Sequence, residues 1–185
     1  MALRDRASKA SVMPVPIQVA AVCYRRASAG IEFLLVRTSS GRWIFPKGRM
    51  DDSLSNREAA AREAWEEAGA MGIIGPRAFH VFRYSKGDPE QDTVLVEAYL
   101  LEVLRSGLAK EEHREPTWFT AEEGKRAISD CRDTRSASEL AAVIDLALAT
   151  LGDEAPKTGL TRRRSISPSG QSRPEPRLRA RPPAF

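Results

Sequence analysis

Residues 48–70 read GRMDDSLSNREAAAREAWEEAGA, and the reading of the whole chain turns on them. Ser55-x-x-Glu58 has the spacing of a capping box, in which two side chains and two backbone N–H groups satisfy one another. Gly69 suits the left-handed residue that closes a helix. Together they predict a helix over Ser55–Ala68. On that helix Glu63, Glu66 and Glu67 stand at i, i+3 and i+4, so three carboxylates share one face within a turn. Charges that close repel. Arg62 can reach Glu66 four residues on or Glu58 four residues back and relieve part of the repulsion; a divalent cation relieves more. Clustered oxygen ligands with no His or Cys beside them select hard ions, Mg²⁺ or Mn²⁺. The opposite face carries Ala59, Ala60, Ala64 and Ala68, small enough for the helix to lie close to a sheet. A run of charge alone commonly marks nothing more than a solvated helix face.

The residues around this helix alternate between strand and turn signals. Phe45-Pro46-Lys47-Gly48 leads into it from a short strand, Trp43–Phe45, that Pro46 stops. Gly48 allows the backbone to approach closely, so its carbonyl is a candidate ligand, and Lys47 is placed to meet a phosphate. Upstream, Ile17–Tyr24 and Ile31–Arg37 read as a hairpin around Gly30. Downstream, Ala78–Tyr84 and Thr93–Leu104 read as strands flanking the turn-rich Ser85–Asp92. Pro116–Phe119 reads as a short strand before a helix from Thr120 to Ile128. Leu140, Val143, Ile144, Ala147, Leu148 and Leu151 form one apolar stripe of a last helix. Strands and helices mixed in this order predict an α/β protein, a sheet with helices on its faces.

Composition bounds the rest. The chain of 185 residues carries net charge +4, but residues 152–185 hold eight basic and three acidic side chains, leaving −1 for residues 1–151. The basic character belongs to a Pro-, Ser- and Arg-rich tail that lacks the apolar residues to offset its ordering entropy and is expected to be disordered. Arg162-Arg163-Arg164-Ser165 within it is a candidate polyanion contact or phosphorylation site, beside the plainer reading of a solvated tail. Residues 1–16 read as a flexible extension, and residues 17–151 as the folded domain. No apolar run approaches the ~18 residues of a membrane span, and the first residues lack a secretory hydrophobic stretch, so a cytoplasmic location is expected; an Arg- and Ser-rich transit segment is the alternative. Two cysteines, Cys23 and Cys131, and two histidines exclude a disulfide framework and histidine-rich metal chemistry. Cys23 reads as a small buried hydrophobe.

Gly48, Arg62-Glu63, Glu66-Glu67 and Gly69 match the Nudix hydrolase signature G-x5-E-x7-R-E-U-x-E-E-x-G-U, with Ala64 and Ala70 at the aliphatic positions U. One position departs: Leu54 stands where the signature has its first Glu, and Asp51, Asp52 or Glu58 are the nearby carboxylates that could replace it. Over residues 17–150 the chain resembles the diphosphoinositol polyphosphate phosphohydrolase branch, through Phe33-Leu34-Leu35-Val36, the segment Ser39 to Gly48, and Glu115-Pro116-Thr117-Trp118-Phe119. The resemblance implies a Nudix-type α/β/α sandwich with a mixed β-sheet between helices. It implies Glu63 and Glu67 as metal ligands, Glu66 as the base or a further ligand, Arg62 as the residue that orients the glutamates, and Ser39, Ser40 and Arg42 as contacts to substrate phosphates. The segment Ser85–Asp92 is acidic where that branch is basic, which speaks against a highly charged inositol substrate.

The expected activity is Mg²⁺-dependent hydrolysis of a pyrophosphate bond in a small molecule: a nucleoside diphosphate-linked, dinucleoside polyphosphate or diphosphoinositol-type substrate. A Nudix-fold binding module without catalysis and an RNA 5′-pyrophosphohydrolase are the alternatives. Nucleic-acid binding is not expected of the domain. Trp43, Trp65 and Trp118 are expected in the core, as are Tyr84 and Phe82. His80 is expected to be structural. Glu97 reads as a solvent-facing strand residue, with an extra ligand or base as the alternative.

Overall fold

A computed structural model describes residues 17–85, 93–130 and 132–153. The expectations for residues 1–16, for the acidic segment 86–92, for Cys131 and for the tail from 154 onward lie outside the described residues. The last helix carries the fold two residues past the boundary expected at 151, since Gly152 and Asp153 are still helical.

The hairpin is present as β1 (Ile17–Ala27) and β2 (Gly30–Arg37), antiparallel with Tyr24 opposite Phe33. Two short strands follow, β3 (Trp43–Ile44) on β2 and β4 (Lys47–Arg49) on β1. Helix α1 (Asn56–Ala68) comes next, then β5 (Ala70–Ile74), β6 (His80–Ser85) and β7 (Thr93–Ser106). The chain ends in β8 (Thr117–Thr120), α2 (Ala121–Ser129) and α3 (Thr134–Asp153). Among the described residues eight strands make one mixed sheet: β1 and β7 run parallel at its centre, and the other pairings are antiparallel. Strands β4 and β5 were not legible as strands. The first has three residues, and the second, Ala-Met-Gly-Ile-Ile, contains a glycine at a register shift against β7.

The two faces of the sheet are set by register. Gly48, Val19 and Glu97 share one rung across β4, β1 and β7, and Lys47, Ala20 and Ala98 share the next. Side chains alternate, so these rungs point to opposite sides. Helix α1 covers the first side with its alanines: Ala59, Ala60 and Ala64 have no exposed surface. Helices α2 and α3 cover the second, where Ile128, Val143, Ile144 and Ala147 are fully buried. Residues Val19–Cys23 therefore lie between two helical layers and are buried throughout. That is why they read as a continuous apolar run rather than an alternating one. The architecture is the expected α/β/α sandwich.

The caps hold α1 in place. Ser55 N–H and Oγ donate to the Glu58 carboxylate at 2.9 and 2.6 Å, and Glu58 N–H returns a bond to Ser55 Oγ at 3.4 Å. Gly69 closes the helix with φ 62°, and a Cβ there would overlap the Gly107 carbonyl. Thr120 and Glu123 form the same box at the start of α2. Cys23 is fully buried, as expected, and its thiol is pushed up by burial, above the range in which it would react.

Candidate active site

The acidic face of α1 meets the edge strand β4 and the segment after β7. Glu67 is the deepest of its carboxylates, only 3% exposed. The Lys47 backbone N–H donates to its Oε2 at 3.0 Å, and Arg114 Nη2 lies 2.5 Å from its Oε1. Burial pushes this carboxyl up to about 7 despite both partners. Glu63 is raised as well, first by burial, with Arg62 opposing and Glu66 and Glu111 adding to it. Its carboxylate lies directly against Gly48, where any Cβ would overlap it. Glycine at 48 is thus a requirement of packing: the position is the floor on which Glu63 rests.

Glu66 turns the other way. Its carboxylate pairs with Lys110 Nζ at 3.0 Å, and its carbonyl accepts the N–H groups of Lys110 and Glu111. Lys110 also stands 4.0 Å over the ring of Trp65. Trp65 is 41% exposed and does not belong to the core, contrary to expectation. It sits on the outward side of α1, where the indole carries the lysine instead.

Arg62 reaches neither Glu66 nor Glu58. Its Nη1 pairs with Asp51 at 2.5 Å and its Nη2 lies 3.9 Å from Glu63. Glu58 is committed to the helix cap. Asp51, itself fixed by Ser53 N–H and Oγ at 2.9 and 2.6 Å, is therefore the carboxylate that engages the signature arginine. Leu54, at the signature's first Glu position, packs on the apolar core instead of facing the acidic cluster.

Arg114 and Glu111 are site residues that sequence reasoning missed. Arg114 Nε pairs with Glu111 at 2.7 Å and its Nη1 donates to the Arg37 carbonyl at 3.4 Å. Both residues come from a segment with no signature, far along the chain from the helix they serve. The next residue, Glu115, has φ 45°, a left-handed conformation uncommon for a side chain of that kind. The only sequence signal was the alternation of acid and base in Lys110–Glu115. Glu97, by contrast, is half-buried on the face of the sheet that α1 covers. Its carboxylate accepts Asn56 Nδ2 at 2.8 Å and Tyr99 Oη at 2.9 Å, tying β7 to the start of α1.

Ser39, Ser40 and Arg42 lie in the β2–β3 loop. Ser40 Oγ is 2.9 Å from Thr38 Oγ1 and 3.2 Å from Arg42 Nε, and Arg37 Nη1 donates to the Gly41 carbonyl at 2.7 Å. Ser39 is exposed. Lys47 divides between the faces. Its backbone serves Glu67, while its side chain lies on the side of α2 and α3, 4.2 Å over the Tyr84 ring. Tyr84 and Phe82 are buried, as expected.

Among the described residues no three acidic, His or Cys side chains converge as an ion site in this arrangement. Arg114, Lys110 and Arg62 neutralise the glutamates instead. The donors nonetheless fit a hard divalent cation: the oxygens of two carboxylates, Glu63 and the buried Glu67, one of them resting on the Gly48 backbone, with no His or Cys beside them.

The NUDIX domain family model matches residues 16–136, more than half of the chain, and the chain belongs to that family. The chain is 35% identical over 109 residues to Nudix hydrolase 16, mitochondrial, of Arabidopsis thaliana, covering 55% of this chain and 59% of that protein. It thus spans less than two thirds of that plant relative. It is 34% identical over 116 residues to the human diphosphoinositol polyphosphate phosphohydrolase 3-alpha, covering 60% of this chain and 68% of that protein. The human match falls in the branch that the flanking residues resemble. The fold is shared with the crystal structure of a C. elegans Ap4A hydrolase: TM-score 0.60, 21% identity, 75% of this chain and 99% of that one.

Proposed function

We propose that the protein hydrolyses a pyrophosphate linkage with the help of Mg²⁺ or Mn²⁺, in a small molecule of the dinucleoside polyphosphate, diphosphoinositol or nucleoside diphosphate-linked kind. The observation that carries this reading is Glu67. A carboxylate 3% exposed, resisting ionisation, is costly to keep unless it is used.

Glu63, Glu67 and the Gly48 carbonyl would hold the cation. When bound, it supplies Lewis acidity, neutralising phosphate charge and making water easier to deprotonate. The chain's own residues do the rest. Asp51 pins Arg62, and Arg62 steadies Glu63. Glu66, the most accessible of the three carboxylates, would accept the proton of the attacking water, or serve as a further ligand, on leaving Lys110. That water adds to one phosphorus in line as the bridging P–O bond breaks, and the leaving phosphate takes the electron pair. Arg114 is the cation nearest Glu67 on this face and counters the charge that grows on the leaving group. Lys47, expected in that role, points its side chain to the other face.

The test is incubation with Mg²⁺ or Mn²⁺ and a panel of diadenosine polyphosphates, diphosphoinositol phosphates, nucleoside diphosphate sugars and 5′-triphosphate RNA, with Glu67→Gln as control and products resolved by anion exchange. Cleavage lost in the control supports the reading and sorts the substrate class. No cleavage with either ion refutes it and favours the binding module that Leu54 suggests.

A further inference from the structure

Both oxygens of Glu67 are already engaged. Oε2 accepts the Lys47 backbone N–H at 3.0 Å, and Oε1 faces Arg114 Nη2 at 2.5 Å. The two partners differ in what holds them. The Lys47 N–H belongs to β4, registered on β1 with Lys47 opposite Ala20, and the neighbouring Pro46 carbonyl accepts the Ala21 N–H at 3.0 Å. Moving it would unpair that part of the sheet. Arg114 reaches Glu67 by its side chain alone, from a single helical turn, Glu112–Arg114. Its guanidinium has other acceptors: Nε pairs with Glu111 at 2.7 Å, and Nη1 donates to the Arg37 carbonyl at 3.4 Å. A guanidinium that gives up Glu67 still has a carboxylate and is not left as a bare charge.

Glu67 has no such freedom. Its side chain is 5% exposed, so water cannot stand in for the guanidinium, and a buried carboxylate that loses its cation needs another. A divalent ion is such a replacement. The two cannot share the oxygen, because a doubly charged ion and a guanidinium at contact distance repel strongly where water is excluded.

Charge on the rest of the face points the same way. Arg62 stands 3.9 Å from Glu63 and Lys110 3.0 Å from Glu66, so with Arg114 each glutamate already has a cation. An ion added with none of these leaving would overcharge the face. The Lys110 side chain is 52% exposed and that of Arg114 19%. Water therefore screens the pair on Glu66 and hardly reaches the pair on Glu67. Arg114 is the cation whose presence matters most to an incoming ion.

We propose that Arg114 is a placeholder for the divalent ion: it neutralises Glu67 until the ion binds, then withdraws to Glu111. Ion binding and the Arg114–Glu67 contact exclude one another, so this arginine sets how tightly the ion is held. Nη2 is released beside the site only when the ion is in place, which ties the cation that counters leaving-group charge to the presence of the ion. The inference rests on the cation reading above and deepens it.

The probe is Mn²⁺ alone, titrated by calorimetry into the full chain at physiological ionic strength. Apparent affinity scales with the fraction of molecules whose site is open. Arg114→Gln removes the competitor and should tighten Mn²⁺ binding by about tenfold or more, the scale of one charge-assisted hydrogen bond. Arg114→Lys keeps the charge but not the fork and should tighten binding by less. Lys110→Gln, at an exposed pair, should also move affinity by less than Arg114→Gln. Equal or weaker binding by Arg114→Gln, folded as judged by far-UV circular dichroism, overturns the proposal; the arginine then only holds Glu67 in shape for the ion. Where Arg114→Gln does not fold, the same result with Arg114→Lys overturns it. A Lys110→Gln shift as large as that of Arg114→Gln also overturns it, since net charge and not exchange then sets the affinity. If no member of the substrate panel is cleaved while Arg114→Gln binds Mn²⁺ more tightly, the hydrolase reading fails and the exchange stands. If cleavage is found and the affinities are equal, the reverse holds. Absence of Mn²⁺ binding in both wild type and Arg114→Gln removes the ion site on which both rest.

Discussion

Glu67→Gln should make the metal-free protein more stable while abolishing its activity. The carboxyl is 3% exposed and is pushed from 4.5 up to about 7, burial outweighing the Lys47 N–H and Arg114. Its protonated form is therefore the one the fold prefers. Below pH 4.5 the group is protonated whether the chain is folded or not, and it costs nothing. As pH rises toward 7 the unfolded chain ionises freely and the folded one resists, so stability falls; above 7 the penalty is complete. The gap corresponds to about 3 kcal/mol. Glutamine keeps the shape and an acceptor for the Lys47 N–H, and Arg114 retains Glu111 and the Arg37 carbonyl. Urea unfolding in EDTA at pH 4.5, 6 and 8 measures the effect. Because other titrating groups are common to both proteins, the stability difference between variant and wild type isolates Glu67. It should grow in favour of the variant by about 3 kcal/mol between pH 4.5 and 8. A difference that stays flat with pH refutes the account of Glu67 as a buried, disfavoured charge. Hydrolysis by the variant should drop by at least about a hundredfold.

Three further outcomes follow from the same geometry. Gly48→Ala places a Cβ in the Glu63 carboxylate; turnover should fall by about two orders of magnitude and calorimetry should show weakened Mn²⁺ binding, with far-UV circular dichroism unchanged. Asp51→Asn removes the charge that pins Arg62; kcat should fall about tenfold with KM little changed, at the scale of one charge-assisted hydrogen bond, and a larger effect on KM would assign Asp51 to substrate instead. Ser55→Ala opens the capping box of α1 and should cost about 1 kcal/mol, read as a lower urea midpoint.

Legibility tracked the range of the interactions involved. The helix of residues 56–68 was readable in full because its caps, its alanine face and its three glutamates are set by spacings of three and four residues. The hairpin was readable from two β-rich runs around Gly30, and the last helix from its apolar stripe. Strand β4 was not, because three residues carry no periodicity; its existence depends on pairing with β1, some thirty residues away. Arg62 shows the limit well. Helical spacing offered Glu58 and Glu66 as partners, and the fold delivered Asp51 from the preceding loop.

The amino-acid sequence by itself determined the family, the sandwich, and which carboxylates share a face, because those follow from local spacing and from a long, specific motif. Only the tertiary structure decided which of them is buried, what neutralises each, and which cations stand nearby. Arg114 reaches Glu67 across 47 positions, and Arg132 reaches the Trp43 carbonyl across 89. A pKa and an ion pair depend on distance and on the exclusion of water, and neither is a property of neighbours along the chain.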